Sequence, residues 1–266
     1  MKKCMLKKFI AVSVAASMVF TLSACGKKSQ NNLLTKGTLT IGTSADYPPY
    51  EFHKEVNGKD TIVGFDLMIA DEIAKDLGVK VEVKDMQFDG LLAALQGKKV
   101  DMVIAGMNPT AERAKAVDFS KVYYVAVQSV IVRAEDKEKL KSLEDLKGKK
   151  VGVQKATTQE KIAGEQIKGA EIVSLGKLPD LVVALKSKKV DAVVVELPVA
   201  QSFADKNSEI FVSGMKFSTE TAQKGAAIAI YKGNTALLND VNKTLDRLMK
   251  EDKISKFVTD ANSMTD

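Results

Sequence analysis

Two charged residues stand where a ligand could be held, and the chemistry they suggest is capture rather than catalysis. Arg113 follows Asn108-Pro109-Thr110-Ala111-Glu112, just beyond the apolar stretch 100–105. Glu196 follows the apolar run 190–195. A guanidinium at a strand end can clamp a carboxylate through two parallel hydrogen bonds. A carboxylate sheltered behind an apolar strand needs a cationic partner. Together they suit a molecule with both charges, as an α-amino acid has. Each charge-assisted bond contributes roughly 1.5–3 kcal/mol in a closed, dry site. Each residue also has a structural reading: Arg113 as a surface ion pair with Glu112 or Asp118, and Glu196 as half of a structural ion pair.

Other side chains fit the same picture. Tyr47 and Phe88 lie in loops beside core patterns, where flat rings can sandwich a ligand and exclude water, or can simply be core. In Ala156-Thr157-Thr158-Gln159 the threonines precede a helical stretch. They can cap that helix while its free N–H groups receive a carboxylate. Catalytic sets are absent. His53 is the only histidine and sits in a polar stretch with Lys54, Glu55 and Asn57, as a solvated surface residue would. It supports no Ser-His-Asp triad, Cys-His pair or His-rich metal site. The segment Gly37-Thr38-Leu39-Thr40-Ile41-Gly42 does not fit a phosphate loop. No cofactor and no metal are expected.

These residues need elements to position them. From Leu39 onward short apolar strands alternate with amphipathic helices, which predicts α/β layers. Leu39-Thr40-Ile41 reads as a strand. Phe65, Ile69, Ile73 and Leu77 mark one helix face that Gly78 ends. Val79, Val81 and Val83 alternate as a strand, Leu91, Leu92 and Leu95 mark a helix, and 100–105 is a short buried strand. Residues 88–103 align without gaps to 178–193, with Ala-Leu, Lys-Lys-Val-Asp and a final Val identical. Residues 37–43 and 148–153 echo one another before each copy, each running from a basic Gly turn into a strand. The spacing is too long for a solenoid and predicts two similar α/β lobes, unless the helix–turn–strand units match by chance. Functional loops of such lobes lie at the carboxyl ends of the strands. That rule selects 43–50, 105–113, 154–160 and 195–198.

Residues 1–24 read as an export signal. Lys2, Lys3, Lys7 and Lys8 precede the apolar run 9–22 and then Leu22-Ser23-Ala24-Cys25. A transmembrane helix is the alternative, but the run is shorter than the roughly 20 residues a span needs. Residues 25–36 read as a flexible tether, because 26–32 is too polar to pack. The only cysteines are Cys4 and Cys25, so a chain cut before Cys25 has no disulfide. Roughly 230 residues remain, enough for a core without staples. Four of the 40 Lys and Arg lie in the signal, leaving 36 against 34 acidic residues and no basic footprint for nucleic acid.

At these residues the chain resembles the extracellular solute-binding proteins of polar amino-acid ABC importers, the glutamine, histidine and lysine/arginine/ornithine binders. The resemblance rests on Gly42-Thr43-Ser44-Ala45-Asp46-Tyr47-Pro48-Pro49-Tyr50-Glu51-Phe52, Gly64-Phe65-Asp66-Leu67, Phe88-Asp89-Gly90-Leu91, Ala105-Gly106-Met107-Asn108-Pro109-Thr110-Ala111-Glu112-Arg113, Asp118-Phe119-Ser120 and Val151-Gly152-Val153-Gln154-Lys155-Ala156-Thr157-Thr158-Gln159-Glu160. It covers nearly all of 37–260. It implies a periplasmic-binding-protein-like clamshell of two α/β lobes joined by two crossover strands, near 123–127 and 220–225. The lobes would comprise 37–124 with 221–266, and 125–220. The lobes would close on an amino acid and the closed form would dock on an ABC permease.

Carried over, Arg113 would bind the ligand α-carboxylate, helped by the backbone at Ala105 and Gly106, by Asn108, and by Thr157 and Thr158 of the other lobe. Glu196 would bind the α-ammonium, and Ser44, Tyr47 and Phe88 would line the side-chain pocket. Asp46, Gln154 and Gln159 would set side-chain specificity. The departures are Met68 for an acidic residue, Asn108 for Thr or Ser, Glu196 for Asp, and Ser44 where several basic amino-acid binders carry Asp. They leave open a neutral polar or a basic ligand. A cysteine at the first mature position resembles a bacterial lipoprotein signal. That implies a monomer held by acylated Cys25 at the outer face of the membrane, in a single-membrane bacterium. The rivals are a sensory or adhesive receptor on this fold and a dehydratase-type enzyme on the same scaffold.

Overall fold

Alternating apolar strands and amphipathic helices fold into two five-stranded sheets, each covered by helices. The computed structural model describes residues 32–218 and 225–265. In chain order the first half holds β1 (Thr38–Thr43), β2 (Asp46–Tyr47), β3 (Glu51–Val56), β4 (Lys59–Val63), α1 (Phe65–Leu77), β5 (Lys80–Asp85), α2 (Leu91–Gln96), β6 (Met102–Val103), α3 (Arg113–Ala116) and β7 (Val117–Tyr124). Then come β8 (Gln128–Arg133), β9 (Lys150–Gln154), α4 (Thr158–Gln166), β10 (Glu171–Leu175), α5 (Leu178–Lys186), β11 (Ala192–Glu196), α6 (Leu197–Lys206) and β12 (Ile210–Ser213). The chain returns with β13 (Ala226–Tyr231), α7 (Thr235–Lys250) and α8 (Lys253–Met264).

One sheet has the order β5-β1-β6-β13-β7 and the other β10-β9-β11-β8-β12, while β2-β3-β4 form a small meander. Between β7 of the first sheet and β8 of the second lie only Val125, Ala126 and Val127, inside the expected crossover. Of the second expected crossover, 220–224 lie outside the described residues. Cys25 and the signal 1–24 lie outside them as well.

The repeat is structural. In the first copy Asp101 N–H donates to Thr40 O at 2.7 Å, and in the second Asp191 N–H donates to Lys150 O at 2.7 Å. Their carboxylates accept from backbone too: Asp101 from Thr40 N at 2.8 Å and Asp191 from Lys150 N at 3.0 Å. Each Lys-Lys turn of the repeat carries a left-handed residue, Lys98 at φ 53 and Lys188 at φ 61. In each copy the second strand pairs parallel with the preceding echo strand, Ile41 beside Met102 and Val151 beside Ala192. The period-2 rule places the core on both faces of β11: Ala192 and Val194 pack under α4, Val193 and Val195 under α5 and α6. Helix α1 buries Phe65, Ile69 and Ile73 and ends at Gly78, in the left-handed conformation (φ 68).

Three expectations shift. The strand expected over 100–105 is a ladder only at Met102–Val103, although all six residues are buried. The valines of β5 are only partly covered because this strand is the sheet edge, with Val83 36% exposed. The expected tether 25–36 is docked at its end. Leu33 packs on the core, Leu34 N–H donates to Asp101 at 2.7 Å, and Thr35 bridges Thr38. The polar run stops at Asn32, and two leucines then have apolar surface to cover. No helix among the described residues is long and apolar enough to cross a membrane.

Candidate ligand-binding site

Loops from the carboxyl ends of strands in both sheets meet around a small, partly open cavity. Its wall is built by Ser44, Asp46, Tyr47, Glu51, Phe88, Ala105, Gly106, Asn108, Arg113, Gln154, Thr157, Thr158 and Gln159, and its volume is about 20 Å³. That is room for one water. Phe88, Arg113, Thr157 and Thr158 also border a wider groove of about 690 Å³ running past Leu92, Met107 and Glu165. Three of the four strand-end segments thus contribute to the wall, and the fourth supplies Glu196 just behind it.

Arg113 opens α3. Its guanidinium donates to Asn108 O and to Ala156 O, each at 2.8 Å, and lies 5.3 Å from the centre of the Phe88 ring. No carboxylate lies within ion-pair distance of it among the described residues, and Asp118 pairs instead with Lys232 at 2.8 Å. The surface ion pair is therefore not its role. Burial lowers its pKa to about 10, against the charge of Glu112. Thr157 caps α4 by accepting Glu160 N–H at 3.3 Å, and Thr158 donates to Asn108 Oδ1 at 2.6 Å across the cleft. Asn108 Nδ2 donates to Gly225 O at 2.8 Å.

Asp46 bridges the two sheets. It accepts Leu178 N–H at 3.0 Å, at the start of α5, and the Gln154 amide at 3.1 Å. Burial raises its pKa, opposed by these bonds. Gln159 donates to Gln128 at 3.0 Å and to Tyr47 Oη at 3.4 Å. Lys155 and Asp89 pair across the cleft at 2.9 Å. The contacts of Asp46, Tyr47 and Asp89 cross the cleft.

Behind the wall lies a set of carboxyl groups without a cation. Glu196, 2% exposed, accepts a hydrogen bond from Tyr50 Oη, so it is not half of an ion pair. Burial raises its pKa to about 7, opposed by Tyr50, Gln128 and Asn108. It does not line the cavity; its link to the wall is through Asn108 and through its N–H, which Tyr47 Oη accepts at 3.3 Å. Asp66, in the first turn of α1, accepts Gly106 N–H at 2.9 Å and Tyr123 Oη at 2.8 Å, and burial raises its pKa to about 6. The Gly106 N–H is thus committed to Asp66 and is not the free donor for a ligand carboxylate that the resemblance implied.

Glu51 was not among the expected site residues. It is fully buried on the wall, and neither oxygen has a donor. Burial, then the Asp66 carboxyl, hold the Glu51 pKa well above the usual carboxylate range. The cue in the chain was Tyr50-Glu51-Phe52, a carboxylate between two aromatics with no polar alternation around it. Local backbone makes room for this cluster. At Gly64 (φ 134) a Cβ would sit 2.1 Å from Tyr50 O, and at Gly106 (φ 53) one would press on the Tyr50 ring at 3.3 Å.

His53 is exposed, beside Asp60 at 2.9 Å and Asp85 at 3.4 Å, far from catalytic company. Its slight burial lowers its pKa, but the two carboxylates outweigh that and raise it. Among the described residues no group of three or more His, Cys, Asp or Glu is placed to hold a metal ion.

Comparison with known proteins gives the cavity a context. Residues 39–260 match the bacterial extracellular solute-binding proteins, family 3. The arginine-binding extracellular protein ArtP of Bacillus subtilis is 35% identical over 255 residues, covering 95% of this chain and 96% of that protein. The amino acid ABC transporter substrate-binding protein AbpA of Streptococcus pneumoniae, solved bound to L-arginine, superposes with a TM-score of 0.83 at 37% identity, over 86% of this chain and 96% of its own. An ancestral arginine-binding protein bound to glutamine superposes at 0.76 with 43% identity, over 84% of this chain and 96% of its own.

Proposed function

The chain belongs to family 3 of the bacterial extracellular solute-binding proteins and is an amino-acid-binding protein of the ABC-transporter type, and from that premise we propose that it traps its ligand between Arg113 and Glu196 and delivers it to a permease. Its relatives are transport receptors, not enzymes. The observation that carries the reading is a half-buried guanidinium on the cavity wall with carbonyl partners but no carboxylate.

Arg113 takes the α-carboxylate, and Thr158 with the N-terminus of α4 completes that anion site from the other lobe. Glu196 takes the α-ammonium, reached when Asn108 and Tyr47 turn aside. Phe88 and Tyr47 sandwich the chain beyond Cα, with Ser44 and Ala105 filling the floor. The cavity of about 20 Å³ is too small for any amino acid, so entry requires the lobes to part and closure to follow. The lobes are 37–124 with 221–266, and 125–220, and they turn about Val125–Val127. Acylated Cys25 and the residues after it moor the protein, as a monomer, beside its permease at the outer face of a single-membrane bacterium.

The test is a thermal-shift screen of the twenty amino acids, followed by calorimetry on Arg113→Ala. A ligand at a thousandfold excess over its Kd raises stability by ~4 kcal/mol. Arg113→Ala should bind no amino acid while melting as the parent does. Unchanged affinity would remove Arg113 from the site, and no shift with any amino acid would remove the function.

A further inference from the structure

We propose that the end of the first sheet where the chain enters β1 is a lipid-facing surface: Lys36, Lys80, Lys98 and Lys99 rest on anionic headgroups of the bilayer that holds acylated Cys25. The proposal rests on the lipid-anchor reading above and adds a second, reversible contact that orients the molecule.

Three observations carry it. First, the two copies of the repeat differ at their aspartates. In the second copy one Asp191 oxygen accepts from Lys150 N and the other from the Arg133 guanidinium at 3.1 Å. In the first copy one Asp101 oxygen accepts from Thr40 N, and the other accepts Leu34 N–H at 2.7 Å. The incoming chain stands where the second copy has an arginine, and this fixes it at the amino end of β1. Asn32 follows Cys25 by seven residues, and at about 3.5 Å per residue the chain between them reaches about 25 Å at most. Second, the lysines at that end lack acidic partners. Lys36 precedes Gly37, whose carbonyl accepts Lys80 N–H at 3.0 Å. Lys98 lies 4.8 Å from the centre of the Tyr231 ring, and Lys99 O accepts from Lys84 Nζ at 3.0 Å. All four are exposed, and among the described residues none forms an ion pair; Glu82 and Asp118 pair instead with Lys84 and Lys232. The second copy differs here too: Lys188, the counterpart of Lys98, pairs with Glu135 at 2.8 Å, and Lys150 and Lys186 pair with Glu171 and Glu209. Third, a recess of about 250 Å³ opens among these groups, bordered by Leu34, Lys98, Val100, Tyr231 and Lys232. Leu34 is 44% exposed beside it. A tyrosine, a leucine and lysines with apolar stems suit the headgroup layer, which is charged outside and apolar beneath.

Charge and reach select the occupant. Each unpaired lysine strengthens attachment to an anionic surface by about fivefold when it lies within a Debye length, about 8 Å at physiological ionic strength. The short chain to Cys25 keeps headgroup phosphates at high local concentration, so a weak contact suffices. The lysines sit at the amino ends of β1, β5 and β6, whereas the ligand cavity is built at the carboxyl ends. A molecule resting on them turns its cleft to the medium, where ligand arrives, and the contact yields when the permease is met.

The experiment is co-sedimentation of residues 25–266, produced unacylated, with phosphatidylcholine vesicles that contain or lack phosphatidylglycerol. Phosphatidylglycerol should raise binding at least about tenfold at low salt, and added salt should reverse the gain. Lys36→Glu, Lys80→Glu, Lys98→Glu and Lys99→Glu together should lower it at least about tenfold. The same charge change in the second copy, Lys147→Glu, Lys149→Glu, Lys188→Glu and Lys189→Glu, should alter it by less than about threefold. Both variants should melt as the parent does and keep its amino-acid affinity, since none of these lysines lines the cavity. Glutamine at the four first-copy positions, a milder change, should give an intermediate loss. Equal losses in the two reversed variants would mean net charge rather than this face, and overturn the proposal. No preference for phosphatidylglycerol does the same. Mass spectrometry of the native protein reads the anchor separately. An acylated Cys25 with no preference for anionic vesicles leaves the anchor standing without the surface. An unmodified Cys25 removes the anchor, and the proposal falls with it.

Discussion

Asp46, expected to set side-chain specificity, lines the cavity and also ties the two sheets together. It accepts Leu178 N–H at 3.0 Å and the Gln154 amide at 3.1 Å, both from the opposite sheet. Hydrogen bonds to a charged group contribute roughly 1.5–3 kcal/mol each. Burial of the carboxylate, which raises its pKa, offsets part of that gain. A net of about 2 kcal/mol for the closed form is the reasonable figure, close to thirtyfold in the open–closed equilibrium. Asp46→Ala should therefore raise the ligand dissociation rate about thirtyfold in stopped-flow displacement and leave the association rate within threefold. The factor should be the same for every amino acid that binds, because the lost bonds join protein to protein. An unchanged dissociation rate would refute the latch. A loss differing more than tenfold between amino acids would make Asp46 a ligand contact instead.

Other perturbations test the scaffold. Arg133, 8% exposed, donates to Leu185 O at 3.0 Å, Val190 O at 2.6 Å, Asp191 at 3.1 Å and Asp136 at 2.7 Å. Arg133→Ala should cost about 3–5 kcal/mol in urea unfolding, since it orphans buried acceptors in the second copy of the repeat. Glu196 and Asp66 are carboxyls whose pKa values are raised in the fold, to about 7 and about 6. The folded state then holds protons that the unfolded chain has lost, so ligand-free stability should fall as pH rises from about 4.5 to 7. The loss from Glu196 is on the order of 3 kcal/mol, readable as a declining melting temperature. Glu72 and Asp76 behave oppositely. Hydrogen bonds from Arg247 hold the Glu72 carboxyl below its ordinary range, and overcome burial at Asp76 to lower that one too. Their contribution is present above the ordinary carboxylate range and fades below about pH 4, so Arg247→Ala should flatten the acid limb of the melting curve.

Much of this was legible in the chain because repetition and periodicity are local signals. The gapless match of 88–103 to 178–193 corresponds to two helix–turn–strand units with the same aspartate bonds to a neighbouring strand. The strand-end rule brought residues distant in sequence, Asp46, Arg113 and Thr158, to one cavity. What escaped depends on partners that spacing does not encode. Glu51 reads as an ordinary strand carboxylate until Tyr50, Phe52 and Asp66 are seen to enclose it. The Gly106 N–H reads as a free donor until Asp66 is seen to occupy it. Stretch 100–105 reads as a full strand, yet only Met102 and Val103 find ladder partners. Glu196 sits one side chain deeper than its place after a strand suggested, because Tyr47 and Asn108 lie in front of it.

The account stands or falls on an α-carboxylate held by Arg113. The direct measurement is calorimetry with the amino acid that stabilises the protein most, against its own α-carboxamide. The two ligands share every group except the negative charge. Loss of two charge-assisted bonds, roughly 1.5–3 kcal/mol each, predicts at least a hundredfold weaker binding of the amide. Equal affinity for the two would contradict it.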